Sequence, residues 1–276
     1  MKKILYFLML AVALAACDNS AKDINARLAE ARSLYNQGDI FSTRLAIDSL
    51  RSDYPRKPQV LRECLKLMRQ VDLKEAQRNI AFCDSLIPIK LQEADSIKNH
   101  GFTFEKDSRY ETVGNFIWKG TTVERNVQRS YIRSGVDEKG NIYIASVYYG
   151  AKPINHTGIK LTTSDGQSIE TAAIPYDGGL NFHFTDMGYT TEVVTYKAEK
   201  GIDAIKLIAA NPNARIKVEY TGGRPFVIYM ETLDKQSVTQ CFRLASTLND
   251  VEKMKAEKDK CEKKVEYINK RLLTNK

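Results

Sequence analysis

Three hydrophobic patterns follow one another along this 276-residue chain. From Asp23 to about Asn99 apolar residues recur every three or four positions, the period of a helix with one buried face. Ala26, Ala29, Leu34 and Tyr35 open the series, and Gly38-Asp39 breaks it as a tight turn. Phe41 to Tyr54 reads as a short second helix with Leu45, Ile47, Leu50 and Tyr54 apolar, closed by Pro55. A long helix is expected next, with Pro58 in its first turn and Pro88 as its end or a kink. Leu73, Ala76, Ile80, Cys83 and Ile87 form a seam on it, continued by Leu91, Ala94 and Ile97, and that seam asks for a partner.

Between 101 and 232 the helical period gives way to alternation and turn glycines. "SYIRSGVDEKGNIYIASVYYG" reads as two strands about Asp137–Asn141, with Tyr143, Ala145 and Val147 on one face. "GIKLTTSDGQSIETAAIP" turns at Asp165-Gly166, "LNFHFTD" and "TEVVTYKAE" are further strands, and "ARIKVEYTGGRPFVIYMET" turns at Gly222-Gly223. A short helix is expected at about Gly201 to Ala210. Antiparallel strands at this spacing predict a sandwich or a partly open barrel.

From about Asp234 the chain returns to helix. Leu244, Thr247, Val251, Met254, Lys258, Cys261, Val265, Ile268 and Leu272 stand at unbroken 4–3 spacing, the signature of a coiled-coil contact. Either an antiparallel pairing with the 58–98 helix or a homodimer through the C-terminal helix satisfies this seam. The first is favoured, because the earlier helix has a seam of its own. The expected fold is therefore α+β. N-terminal helices over 17–99 and a C-terminal helix over 234–276 pack as a stalk, and an antiparallel β domain over 100–233 is inserted between them.

Met1-Lys2-Lys3 followed by the apolar run Ile4–Ala16 has the form of a secretory leader and is shorter than a bilayer span. Its ending, Leu14-Ala15-Ala16-Cys17, resembles the bacterial lipobox. That resemblance implies cleavage after residue 16, acylation of Cys17 (palmitate among the chains), and a membrane as the first partner, since two or three chains anchor where one does not. Asp18 resembles the inner-membrane retention signal of enteric bacteria, whereas acidic residues after the cysteine resemble a surface-export signal in Bacteroidetes. Asp48-Ser49-Leu50, Asp84-Ser85-Leu86 and Asp95-Ser96-Ile97 resemble the O-glycosylation triplet of Bacteroidetes envelope proteins. The address implied is the cell envelope, outer membrane before inner, with the periplasmic and surface faces both open. Separately, "LYNQGDIFSTRLAIDSLRSDYP" resembles one tetratricopeptide-type helical hairpin, with Thr43 where a small alanine is usual. No second copy follows, so a peptide-binding repeat array is not expected.

Composition narrows function mainly by exclusion. Removing residues 1–16 takes away Lys2 and Lys3 and lowers the formal charge from +8 to +6, a mixed surface with no nucleic-acid motif. Cys64, Cys83, Cys241 and Cys261 lack the close pairing of zinc sites, and both disulfides and free buried thiols fit their spacing. There is no HExxH, GxSxG or phosphate-loop spacing, and no cofactor or metal is expected.

The candidate binding surface comprises Tyr148, Tyr149, His156, Tyr176, Asp177 and His183, all in the β region. Loops on a rigid sheet usually place contacts, and a protein or a glycan is the expected partner. The expected function is a non-enzymatic binding or structural lipoprotein of the envelope. The alternative is an envelope hydrolase or transferase with a site on the loops near His156 and Asp177. A pocket bringing a histidine to a carboxylate and a nucleophile favours the alternative. A flat tyrosine-rich sheet face favours the first reading.

Overall fold

The computed structural model describes residues 21–109, 112–121 and 124–274. Cys17 and the leader expected over residues 1–16 lie outside them. The chain divides into two compact units, one of residues through Ser85 together with Lys255 onward, the other of Leu86–Met254.

The helical unit begins with α1 over 21–37 and α2 over Ile40–Asp53. Gly38 adopts a φ of +83°, and its N–H donates to the Tyr35 carbonyl at 3.0 Å, ending α1 in the way glycine favours. Asp39 then caps α2, its carboxylate accepting the Ser42 N–H at 2.9 Å. Thr43 is fully buried, and its hydroxyl donates to the Asp39 carbonyl at 2.5 Å, so threonine fills this close contact without an orphaned polar atom.

The inward face of α1 differs from the one expected. Ile24, Leu28 and Ala31 are buried, while Ala26 and Ala29 are exposed. The larger side chains at i, i+4 and i+7 bury more apolar area than the alanines do and so set the rotation of the helix. Leu45, expected on the inward face of α2, is 56% exposed, since the helix turns Thr43, Ile47 and Leu50 to the core instead.

α3 runs over Pro58–Gly101 without ending at Pro88, which costs it the hydrogen bond that residue 88 cannot give to the Asp84 carbonyl. α5 spans Thr232–Thr274. Within the helical unit, Lys258 reaches Asp84 at 2.6 Å and Lys264 reaches Asp72 at 3.1 Å, so α5 rises along the sequence as α3 descends. The two helices are antiparallel. Val251, Cys261 and Ile268 are buried along the α5 seam, and Lys258 extends its amine to Asp84 in place of burying it. The serines of the three Asp-Ser triplets all lie within α2 and α3.

Among the described residues the sheet unit contains ten strands. A six-stranded antiparallel sheet has the order β1 (Phe102–Glu105), β2 (Asn115–Trp118), β3 (Tyr131–Asp137), β4 (Ile142–Gly150), β8 (Tyr189–Lys197), β7 (Asn181–Asp186). A four-stranded sheet has the order β10 (Phe226–Tyr229), β9 (Ile216–Thr221), β5 (Gly158–Thr163), β6 (Ser168–Glu170). The inner faces share one core. Ile132, Ile144, Val194 and Tyr196 come from the first sheet and Ile159, Leu161, Val218 and Tyr220 from the second. Ile205 and Ile208 of α4 (Ile202–Ala210) and Val238 of α5 complete it.

The sheets therefore form a sandwich with helical cover. It is not a closed barrel, since the terminal strands of each sheet pair on one side only. The unit also takes in the parts of α3 and α5 between residues 86 and 254, beyond the 100–233 expected for the strands alone. Cys241, Leu244 and Ala245 of α5 pack on Phe102 and Val136. Cys64, Cys83, Cys241 and Cys261 are all free and buried. Among the described residues no helix is long and apolar enough to cross a membrane.

Candidate functional site

The two faces of the six-stranded sheet carry different chemistry. On β4 the residues Ile144, Ser146 and Tyr148 point into the sandwich. Their cross-strand neighbours on β8 are Tyr196, Val194 and Glu192. A carboxylate thus enters the core in register with valine and tyrosine.

Glu192 is 3% exposed, yet every oxygen is engaged. Oε1 accepts the N–H groups of Ile154 at 2.6 Å and Asn155 at 2.8 Å, and Oε2 accepts the His156 N–H at 3.1 Å and faces His156 Nδ1 at 2.8 Å. Asn155 at φ +54° turns the loop so that three successive N–H groups converge on the carboxylate. Burial pushes the acid up, but the hydrogen bonds from the His156 ring and the three backbone amides outweigh it and hold the group down at about 2.

The network continues through the imidazole. Ser146 Oγ lies 2.8 Å from His156 Nε2 and 3.2 Å from the Tyr196 hydroxyl. Serine, histidine and glutamate in this order match a nucleophile, its base and the group that orients the base. The surroundings do not match. Ser146 is fully buried and His156 is 1% exposed, with the Tyr220 ring edge-on at 4.9 Å. A reacting carbon must sit about 3 Å from the nucleophile; here the Tyr196 hydroxyl occupies one side of Ser146 and the core the rest.

What the triad does is pin the 151–157 loop to β8. Gly223 packs against the other side of that loop: a Cβ there would lie 1.9 Å from the Ile154 carbonyl oxygen. Arg224 donates its N–H to that carbonyl at 2.8 Å. The "TGGRPF" turn is therefore a packing element.

The outer face of the same sheet is partly covered: Tyr131, Ala145, Val147 and Val193 are buried in a small cluster with Phe182, while Arg133, Phe184 and Tyr189 are exposed. Register places Tyr131, Val147, Val193 and Phe182 in one row across β3, β4, β8 and β7. The next row toward the β7–β8 turn has Tyr149, Thr191 and Phe184, and the row on the other side has Arg133, Ala145 and Thr195. Tyr149 stacks on Tyr189, with centroids 5.1 Å apart and planes 10° from parallel. The Tyr143 ring covers Gly135, where a Cβ would lie 2.5 Å from the phenol oxygen. Phe184 is 51% exposed and Met187 is 90% exposed at the hairpin tip, where its φ is +47°.

Two shallow hollows, of about 600 and 370 Å3, lie on this face and meet at Asn126, Val127, Tyr131 and Arg133. The 124–130 segment that overhangs them is tied down by charge. Arg125 and Arg129 both contact Glu231 and Asp234 at the start of α5, with Arg125 3.1 Å from Asp234. Arg129 also lies over the Tyr131 ring at 4.8 Å. Burial raises the Asp234 carboxyl despite both guanidinium groups.

The residues expected to form one surface are thus divided. Tyr149 is on the outer face. Tyr148 is not: its ring is buried edge-on to Phe226, and its hydroxyl donates to the Lys152 carbonyl. His156 is not either, because its bonds to Glu192 and Ser146 hold it in the core. Tyr176 and His183, the latter on edge strand β7, have ring centroids 4.9 Å apart and are both exposed. Asp177 caps its own turn by accepting the Gly179 and Asn181 N–H groups, both at 2.9 Å. Those two amides and that of Leu180 hold its carboxyl below the ordinary range. Among the described residues no group of histidine, cysteine and carboxylate side chains is placed to hold a metal ion. No family model, curated protein or solved structure matches the chain.

Proposed function

We propose that this chain is a lipid-anchored protein of a bacterial envelope whose outer sheet face binds a ligand, and that it is not a hydrolase. The observation that carries the binding half is the outer face itself: two adjoining hollows on one sheet, with Arg133 exposed where they meet and the rings of Tyr143, Tyr149, Phe184 and Tyr189 partly or fully exposed around them. Exposed aromatic side chains grouped beside a polar hollow are a common feature of contact surfaces. The anchor half rests on Leu14-Ala15-Ala16-Cys17 and on the acyl chains that a lipobox cysteine carries. Outer-membrane anchoring, on either face, agrees with that address.

Two experiments test the halves separately. Alkyne-palmitate labelling in the host should mark the wild-type chain and not Cys17→Ser, and equal labelling of both would remove the anchor. Benzoylphenylalanine at position 149 should crosslink a ligand in intact cells, while the same group at Lys206, on α4, should not. Equal crosslinking from both positions, or none from 149, would remove the binding face.

The hydrolase reading has Ser146, His156 and Glu192 in its favour and their burial against it. A fluorophosphonate probe should leave Ser146 unmodified in the folded protein. Stoichiometric labelling of Ser146 would reinstate the enzyme.

A further inference from the structure

We infer that the ligand of the outer face is an uncharged polysaccharide chain; this rests on the binding-face reading above. The side chains around the two hollows decide the class. Lys106, Arg129 and Arg133 only donate, Glu105, Asp107 and Asp186 only accept, and Asn115 and Asn126 do both. Such a mixture suits hydroxyl groups, each of which donates and accepts, and it offers no excess of one charge to hold a polyanion or polycation. Tyr143 supplies a ring beside these polar groups, and a sugar ring presents C–H bonds to such a face while its hydroxyls bond at the rim.

The shape agrees. A protein partner of standard size needs a broad complementary patch of roughly 800 Å2 on each side. Here Val127, 59% exposed, stands above the sheet and divides the face. The most apolar positions beneath, Ala145, Val147 and Val193, are already covered. Two adjoining hollows that share Tyr131 and Arg133 suit successive units of a chain.

Affinity electrophoresis of the full chain in detergent, through gels containing dextran, amylopectin, xylan, mannan or galactan, tests this directly. At least one neutral polymer should retard the protein, and its hexasaccharide should bind in calorimetry. Arg133→Ala and Tyr143→Ala should each weaken that binding tenfold or more. Tyr143→Phe, which keeps the ring, should weaken it severalfold less than Tyr143→Ala. Trp118 fluorescence, read in urea, separates these losses from unfolding.

Retardation unchanged by both alanine variants would overturn the site. Preference for alginate or hyaluronan, abolished by salt, would overturn the uncharged class. No retardation by any neutral polymer would overturn the inference. In that last case a protein crosslinked from position 149 would leave the binding face standing, and no crosslink would remove both.

Discussion

Glu192→Gln is the substitution with the most predictable energetic consequence. The wild-type carboxylate accepts four hydrogen bonds in the core. A glutamine keeps one carbonyl oxygen for the Ile154 and Asn155 amides but sets an NH2 group against the His156 N–H and against Nδ1. At least one buried donor loses its acceptor, at roughly 1–3 kcal/mol each, so a loss of at least about 1–3 kcal/mol is expected. That is a large part of the ~5–15 kcal/mol that holds a typical domain folded.

The pH dependence gives a second, independent reading. The folded pKa of Glu192, about 2, lies below the ordinary 4.5. Its stabilisation is therefore fully present above about pH 4.5 and lost as pH falls toward 2, and it amounts to about 3 kcal/mol at most. Urea unfolding followed at Trp118, the single tryptophan and a residue of the sheet unit, measures both effects. At pH 7 the variant should be less stable, and between pH 4.5 and 3 it should lose less further stability than wild type. Equal stability at pH 7, or an identical acid slope, would refute the account of the buried network.

Other consequences follow from packing and turn geometry. Gly223→Ala should destabilise the sheet unit by at least about 1–3 kcal/mol in the same urea assay, because its Cβ has no room beside the Ile154 carbonyl. Met187→Asn should stabilise by roughly 0.5–1 kcal/mol, since Met187-Gly188, with both φ angles positive, forms a two-residue hairpin turn that favours asparagine. Unchanged or lowered stability there would mean that Met187 makes contacts beyond the turn. The four buried cysteines should react with a thiol reagent at pH 8 only after unfolding. Cys241, pushed up to about 12 by burial, should resist longest in native protein.

The extended patterns were legible in the sequence. The α5 seam from Leu244 to Ile268 repeats often enough to show its buried side, and turns at Asp165-Gly166 and Gly222-Gly223 announce hairpins through residues that tolerate positive φ. Single-residue placements were harder. In the α1 stretch two apolar stripes overlap, and only side-chain size picks Ile24 and Leu28 over the alanines. Pro88 looks like a terminus, but α3 runs through it.

His156 reads as a loop residue because its partner lies 36 positions later. One signal for that partner was available: Glu192 falls in the same alternating set as Val194 and Tyr196, so a strand with those two inward carries the carboxylate inward too. Nothing local separates Tyr148 from Tyr149. Their faces follow from the register of β4, which Ile144 and Val147 set on opposite sides.

The central claim is that function resides on the outer face and that the inward Ser146–His156–Glu192 network is structural. Ligand capture in intact cells by Ser146→Ala, compared with Arg133→Ala, tests it most directly, with both variants first shown to be folded. The account predicts that Ser146→Ala captures ligand at the wild-type level and that Arg133→Ala loses most of it. Loss with Ser146→Ala and retention with Arg133→Ala would contradict it.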